Sequence, residues 1–335
     1  MELISLNTTR RNGTILLYEF IIGIVRASGR TPVSIILPTL EWGTACEQLA
    51  AQLEPDDELL VVCDTASNPV ANHDAPDGVQ ILIAGEPDGC AAKANAIAHG
   101  MEQATNNRFV WSDDDYERDS EWLGRLVKNG EAHGPTAVEP LIVSSGPYFK
   151  LVEPVAALLI ALSHIYRDDG GGGYPWGGGV TFTRTELQAP VEQLCAELRC
   201  SISDDNVLDN YLADTYTPRE WRIRVPVDGG FHDTISRLTR WMRADHVRYN
   251  RTPHFLVTTL IAVVSFLFPF IVAPLVTIIT ALSYTKLGYS RWTFILAYPG
   301  LLALPLMIGL GLTRSEFSWG SRRYRLHDLY DIEVS

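Results

Sequence analysis

Three consecutive aspartates, Asp113, Asp114 and Asp115, close the strand-like run Arg108-Phe109-Val110-Trp111-Ser112. Carboxylates crowded at one strand end repel each other unless a cation sits among them. Hard oxygen donors at that density suit Mg²⁺ or Mn²⁺, ions that usually arrive with a phosphate. An acidic run can equally be a solvated loop, so its meaning depends on what else reaches the same cleft. Asp204 and Asp205 open a helical stretch, Ser201-Ile202-Ser203-Asp204-Asp205-Asn206-Val207-Leu208. One carboxylate there reads as a helix cap, but two exceed what a cap requires. Asp205 is the candidate base for taking a proton from a hydroxyl acceptor, with Asp204 in support. Arg237 and Arg240, in Arg237-Leu238-Thr239-Arg240-Trp241, share a helix face and suit a diphosphate; contact with lipid headgroups is the alternative. Trp241 beside them suits stacking or an acceptor path. Lys93 and Asn95 open a helix, where a phosphate or nucleotide would be welcome and where a solvated lysine is equally ordinary. Two glycine clusters, 170–173 and 177–179, flank Tyr174-Pro175-Trp176, as in a flexible connector or a backbone passing close to a ligand.

The intervening segments must bring these residues together. Val33 to Leu37 reads as a strand stopped by Pro38-Thr39, and Glu58 to Cys63 as a second ending at Asp64. Gln80 to Ala84 and Arg108 to Ser112 complete four strands, separated by helical stretches at Thr44 to Leu53 and Lys93 to Ala104. Strands spaced by helices predict βαβ units and a mostly parallel, Rossmann-like α/β sheet. Ligands of such sheets bind beyond the carboxyl ends of the strands, so Thr39, Asp64 and Asp113 converge on one crevice.

The 335 residues carry a net charge of −13, which argues against nonspecific nucleic-acid binding and leaves room for an anionic nucleotide in a locally positive cleft. Five scattered cysteines without a CxxC pair offer neither a zinc site nor a disulfide framework. No serine elbow, Walker loop or HExxH occurs. Near the C-terminus, Phe255 to Ser283 and Trp292 to Leu312 are uncharged and long enough to cross a bilayer. The short connection Tyr284 to Arg291 predicts a transmembrane hairpin, and flanking arginines place the large domain and the tail in the cytoplasm. Ile15 to Val25 is apolar but short, and reads as an interfacial or packing helix. Leu151 to Tyr166 reads as a core helix, with a place in the membrane interface as the alternative. The expected organisation is an N-terminal segment (1–31), a catalytic domain (32–250), a membrane hairpin (251–313, with spans near 255–283 and 292–312) and a cytoplasmic tail (314–335).

Taken in order, Pro32 to Thr39, Asp64, Lys93 with Asn95, Asp113 to Asp115, Asp204-Asp205 and Arg237 to Trp241 resemble the membrane-associated family 2 glycosyltransferases of GT-A fold. The pattern is most similar to the ceramide-glucosyltransferase-like branch (family 21), from about Pro32 through Trp241 into the membrane helices. The resemblance implies an inverting transfer of a sugar from a UDP- or GDP-hexose to a membrane lipid hydroxyl, at a Mg²⁺ or Mn²⁺ site of Asp113 and Asp115. It assigns Pro38, Thr39, Asp64, Lys93, Asn95, Asp113 and Asp114 to the donor and Asp205 to the catalytic base. Trp176, Gly177, Gly178, Asp204, Arg237, Arg240 and Trp241 fall on the acceptor and diphosphate side. Two departures stand out: Thr65 follows Asp64 where an acidic residue is usual, and the long N-terminal membrane helix of that branch is missing or shortened. A polyprenyl-phosphate sugar synthase or a processive polysaccharide synthase would share many of these features, although the former would normally lack the Arg237-to-Trp241 motif.

Overall fold

The computed structural model describes residues 30–166 and 171–335. The expected helix at Ile15 to Val25 and the residue Gly170 therefore lie outside the described residues. Four strands come first: β1 (Val33–Pro38), β2 (Glu58–Cys63), β3 (Val79–Ile83) and β4 (Arg108–Ser112). They alternate with helices α1 (Thr44–Ala50) and α2 (Ala92–Gln103), and α3 (Trp122–His133) follows β4. The short β5 (Thr136–Ala137) and β6 (Glu139–Ser144) lead to α4 (Glu153–Tyr166), and β7 (Gly179–Thr183) re-enters the main sheet. The six-stranded order is β3-β2-β1-β4-β7-β5, parallel across β3 to β4 and antiparallel at β7. Ile35, Ile36, Leu37 and Leu59 to Val61 are fully buried because both faces of the sheet are covered, which explains their unbroken apolar runs.

Antiparallel pairing aligns Ser112 with Gly179, so the loop before β7 lies beside the aspartate run at the end of β4. Helices α5 (Val191–Leu198) and α6 (Asp204–Tyr211) precede β8 (Arg222–Val227), which pairs with β6 in a separate parallel ribbon. A long helix, α7 (Phe231–Tyr249), then carries the arginine–tryptophan motif.

The C-terminal third carries two apolar helices that could form the expected hairpin, with the bounds of the first span shifted. The stretch from Phe255 to Ser283 is two helices, α8 (Thr252–Leu267) and α9 (Pro269–Leu287), broken at Phe268. Pro269 has no N–H to continue the ladder, whereas Pro274 is absorbed within α9. A short 3₁₀ turn and α10 (Ala297–Thr313) follow. By length and composition, Pro269–Leu287 and Trp292–Thr313 could each cross a bilayer. The connection between them packs on the α/β body: Tyr289 donates to the Ile142 carbonyl and Arg224 to the Gly288 carbonyl. Residues 314–335 do not form a free tail. They fold into a three-stranded antiparallel sheet of β9 (Glu316–Trp319), β10 (Arg322–Asp328) and β11 (Asp331–Val334), whose Phe317, Tyr324 and Leu326 join the main core.

Helix α4 has two characters. Ala157 and Ala161 are buried against Tyr284 and Leu287 of α9, whereas Leu159, Leu162 and Ile165 are exposed. The core reading therefore holds for one face only. The other face leaves Leu159, Leu162 and Ile165 uncovered by the protein.

Candidate active site

One cavity of ≈ 790 Å³ gathers most of the expected residues. Pro38 and Thr39 from β1, Asp64 after β2, Lys93 on α2 and the three aspartates after β4 line one end. Trp176, Asp204 and Asp205 lie beside them, and α7 contributes Arg237, Arg240 and Trp241 to the lining. Asn95, Gly177 and Gly178 are not among the lining residues, the two glycines standing just behind Trp176, Asp113 and Asp205. The Asn95 amide donates to the Gly85 carbonyl at 3.1 Å, tying down the turn before α2, and it does not face the cavity. Two positions along a helix are separated by about 200°, so Lys93 and Asn95 cannot both serve the same cleft.

Lys93 joins the two acidic motifs instead of standing in solvent. Its ammonium lies 2.6 Å from Asp113 Oδ1 and 2.8 Å from Asp204 Oδ2. Burial alone would lower its pKa, but the Asp113 and Asp204 carboxylates outweigh it and hold the lysine well above its ordinary value. Asp204 is not the helix cap, because the Ser203 side chain accepts the Asn206 N–H and fills that role. The second carboxylate, Asp205, accepts the Gly177 N–H at 2.6 Å. Desolvation, followed by repulsion from Asp204, pushes Asp205 up to about 8. Desolvation and the neighbouring Asp113 and Asp114 likewise raise Asp115 to about 6.

The glycine cluster has a steric reason. A Cβ at Gly177 would collide with carboxylate oxygens of Asp204 and Asp205, and one at Gly178 with Trp176 and Asp113. The Gly178 carbonyl accepts from Asp113 N–H at 3.1 Å and from the Tyr116 hydroxyl at 2.7 Å, so loop and aspartate turn form one unit. Arg118 clamps that turn from behind, bonding Ser112 Oγ and the carbonyls of Tyr116 and Asp113. Its guanidinium stacks 3.9 Å from the Tyr116 ring centroid.

On α7, Arg240 is held over the Trp319 ring at 3.7 Å, with Nη1 buried and unpartnered. Burial and nearby Arg237 lower Arg240 to about 10. Two crowded cations facing four carboxylates form a socket divided by charge. Trp241 packs edge-on against Phe149 at 5.8 Å, where the cavity turns apolar.

Sequence reasoning missed Arg118, Tyr116 and the whole contribution of the C-terminal sheet. Arg322 reaches Asp64 at 2.9 Å and Glu86 at 2.5 Å, and Trp319 and Tyr324 also line the cavity. The Tyr324 hydroxyl also accepts the Ala92 N–H at the start of α2, at 3.3 Å. An arginine 258 positions from its partner leaves no local trace in the sequence.

Asp113 and Asp115 fit a divalent cation in their donor chemistry: both carboxylates are raised by desolvation and by neighbouring negative charge, a combination that a cation relieves. Among the described residues no group of three or more His, Cys, Asp or Glu side chains is arranged to hold a metal. Two carboxylates at a cleft match Mg²⁺ or Mn²⁺, which take few protein ligands and complete their shell from phosphate and water.

No family model matches the sequence, and no curated protein matches it. Several solved structures are similar at low identity. One, a mycobacterial protein, is 16% identical, with 65% of this chain and 76% of that chain covered and a TM-score of 0.38. Glucosyl-3-phosphoglycerate synthase from Mycobacterium tuberculosis is 18% identical over 62% of this chain and 74% of its own, with a TM-score of 0.33. The same enzyme in complex with Mn²⁺, UDP and glucosyl-3-phosphoglycerate is 16% identical over 61% and 72%, with a TM-score of 0.32. Likeness at this level carries no inference about activity.

Proposed function

We propose that this protein is a metal-dependent, inverting glycosyltransferase that moves a hexose from a nucleoside-diphosphate sugar to the hydroxyl of a membrane lipid. One observation carries the reading. A single cavity holds the aspartate run, the half-buried Asp205 and the Arg237–Arg240 pair, and it continues to Leu159, Ile160 and Ser163 of α4, a helix whose outer face is apolar. Chemistry on a lipid headgroup needs such a passage from a polar socket to an apolar surface. The distinctive feature of the ceramide-glucosyltransferase-like branch, a hydroxyl lipid acceptor, is retained within this proposal.

The donor diphosphate sits between the acidic turn and the arginines, with Asp64 toward the nucleoside. A divalent cation bound by Asp113 and Asp115 would supply charge neutralisation at the diphosphate. Arg237 and Arg240 take up the negative charge that develops on the leaving nucleoside diphosphate. Asp205 removes the proton from the acceptor hydroxyl as its oxygen attacks the anomeric carbon from the face opposite the leaving group, so configuration inverts. Gly177 N–H orients the Asp205 carboxylate, and Lys93 keeps Asp113 and Asp204 from repelling each other. Membrane association follows from the exposed apolar helices, and the basic residues beside them favour the cytoplasmic side.

The test is incubation of purified protein with labelled UDP- and GDP-hexoses, extracted membrane lipids and Mn²⁺ or Mg²⁺, followed by mass spectrometry of the lipid phase. A hexosyl lipid that forms only with metal, and disappears on chelation, is the expected product. Hydrolysis of the donor without any hexosyl lipid, across the extracted lipids, would refute the acceptor class.

A further inference from the structure

We infer that the apolar C-terminal helices hold this protein in one leaflet of the bilayer without crossing it. Single-leaflet binding presupposes the membrane association proposed above. It differs from a transmembrane hairpin in where the α8–α9 tip and the connection from α9 to α10 lie.

The connection after α9 is fastened to the catalytic body at several points. Arg291 bonds the Ser144 carbonyl at 2.5 Å and the buried Glu153 carboxylate at 3.0 Å, and Tyr289 bonds the Ile142 carbonyl at 3.0 Å. Those partners belong to β6 and α4, so this connection cannot lie across a membrane from them. Helix α10 is anchored at both ends as well. Gly300 lies against the Leu151 carbonyl, Gly311 against the Met242 backbone of α7, and β9 follows directly. A helix with both ends on the catalytic body lies along it and does not pass through a bilayer. Helix α8 runs antiparallel to α10: the Phe255 ring lies beside Gly309, and Tyr298 near the opposite end reaches the Ser265 carbonyl.

The turn between α8 and α9 has the chemistry of a buried tip. From Phe266 to Val276 there is no polar side chain, and Phe270 is 93% exposed. A loop in far-side water would carry polar residues, whereas a tip in hydrocarbon requires its backbone groups to be satisfied without water. Pro269 cannot bond the Ser265 carbonyl, and the Tyr298 hydroxyl does so in its place at 3.1 Å. The Phe268 carbonyl accepts from Ile271 and Val272, closing the break. Helix α8 has 16 residues, roughly 24 Å at 1.5 Å each, against a hydrocarbon core of about 30 Å.

The rim suits a headgroup layer of one leaflet. Arg251, Lys286, Arg291 and Arg314 stand at the helix connections, and Trp292 is exposed with Lys150 above its ring at 5.6 Å. Basic residues at every connection except the apolar α8–α9 turn complement an anionic leaflet on the catalytic side.

The experiment uses the full chain with Cys200→Ser, leaving four buried native thiols, reconstituted into sealed vesicles containing anionic phospholipid. Single cysteines replace Asp74 on the catalytic body, Lys286 and Ser290 in the connection, and Phe270 at the tip. A membrane-impermeant maleimide is applied outside or trapped in the lumen. Lys286→Cys and Ser290→Cys should label from the same side as Asp74→Cys, and Phe270→Cys more than tenfold less than Asp74→Cys from either side until detergent is added. Labelling of either connection variant or of Phe270→Cys from the side opposite Asp74→Cys would overturn single-leaflet binding. Flotation of the same vesicles reports membrane association separately; protein left at the bottom of the gradient would overturn that reading and this one with it.

Discussion

Replacing Asp205 with Asn should cost activity and gain stability, and the gain should depend on pH in a defined way. The carboxyl is displaced from 3.8 to about 8, first by desolvation and then by Asp204. A group whose folded value is raised contributes stability fully below its unfolded pKa and loses it as pH rises through the folded value. Asn never ionises and keeps an oxygen for the Gly177 N–H. Its advantage over Asp is therefore absent near pH 4, grows through neutrality and levels off above about pH 8. The displacement is worth at most about 6 kcal/mol. Sharing among Asp204, Asp113 and Lys93 brings the expected gain to about 1–3 kcal/mol, or several degrees in Tm. Tryptophan fluorescence melts in detergent at pH 5, 7 and 8.5 measure it. Transfer should fall by about 10²–10⁴-fold while donor binding, followed by calorimetric titration, persists. A gain that is flat with pH, or a loss at every pH, would refute the burial argument. Near-normal transfer by the Asn variant would refute the base assignment independently.

Gly177→Ala forces a Cβ onto the Asp204 and Asp205 carboxylates and should lower turnover by about 10²-fold with donor affinity little changed, read from separate kcat and binding measurements. Arg322→Ala removes the tether between the C-terminal sheet and Asp64. It should raise the donor KM about tenfold, the equivalent of one charged hydrogen bond, with kcat within about threefold. Tyr298→Phe leaves the Ser265 carbonyl unpaired at an apolar helix break and should destabilise the protein by about 1–3 kcal/mol in thermal melts, while a Tyr330→Phe control at the exposed rim should cost under about 1 kcal/mol.

Local chemistry was legible along the chain. The unbroken apolar runs of β1 and β2 declare a sheet covered on both faces, and their ends place Thr39 and Asp64 at its ligand-binding edge. Three adjacent carboxylates marked the aspartate run as either a solvated loop or a cation site, and the charge-free stretches beyond Phe255 marked the apolar segments. Helical spacing sets Asn95 about 200° from Lys93, but it could not show which of the two faces the cleft, and Asn95 holds a turn outside it.

What the sequence by itself determined is what depends on neighbours within a few residues: strand and helix types, the apolar segments and the residue types able to handle a phosphate and a proton. Tertiary structure alone decided the contacts between distant segments. It set Lys93 between Asp113 and Asp204, closed the donor end with Arg322 and Trp319, and folded the helices beyond Arg251 back onto the catalytic body. These pairings join segments tens to hundreds of residues apart, and their energies come from burial and charge placed by the fold, which no local pattern encodes.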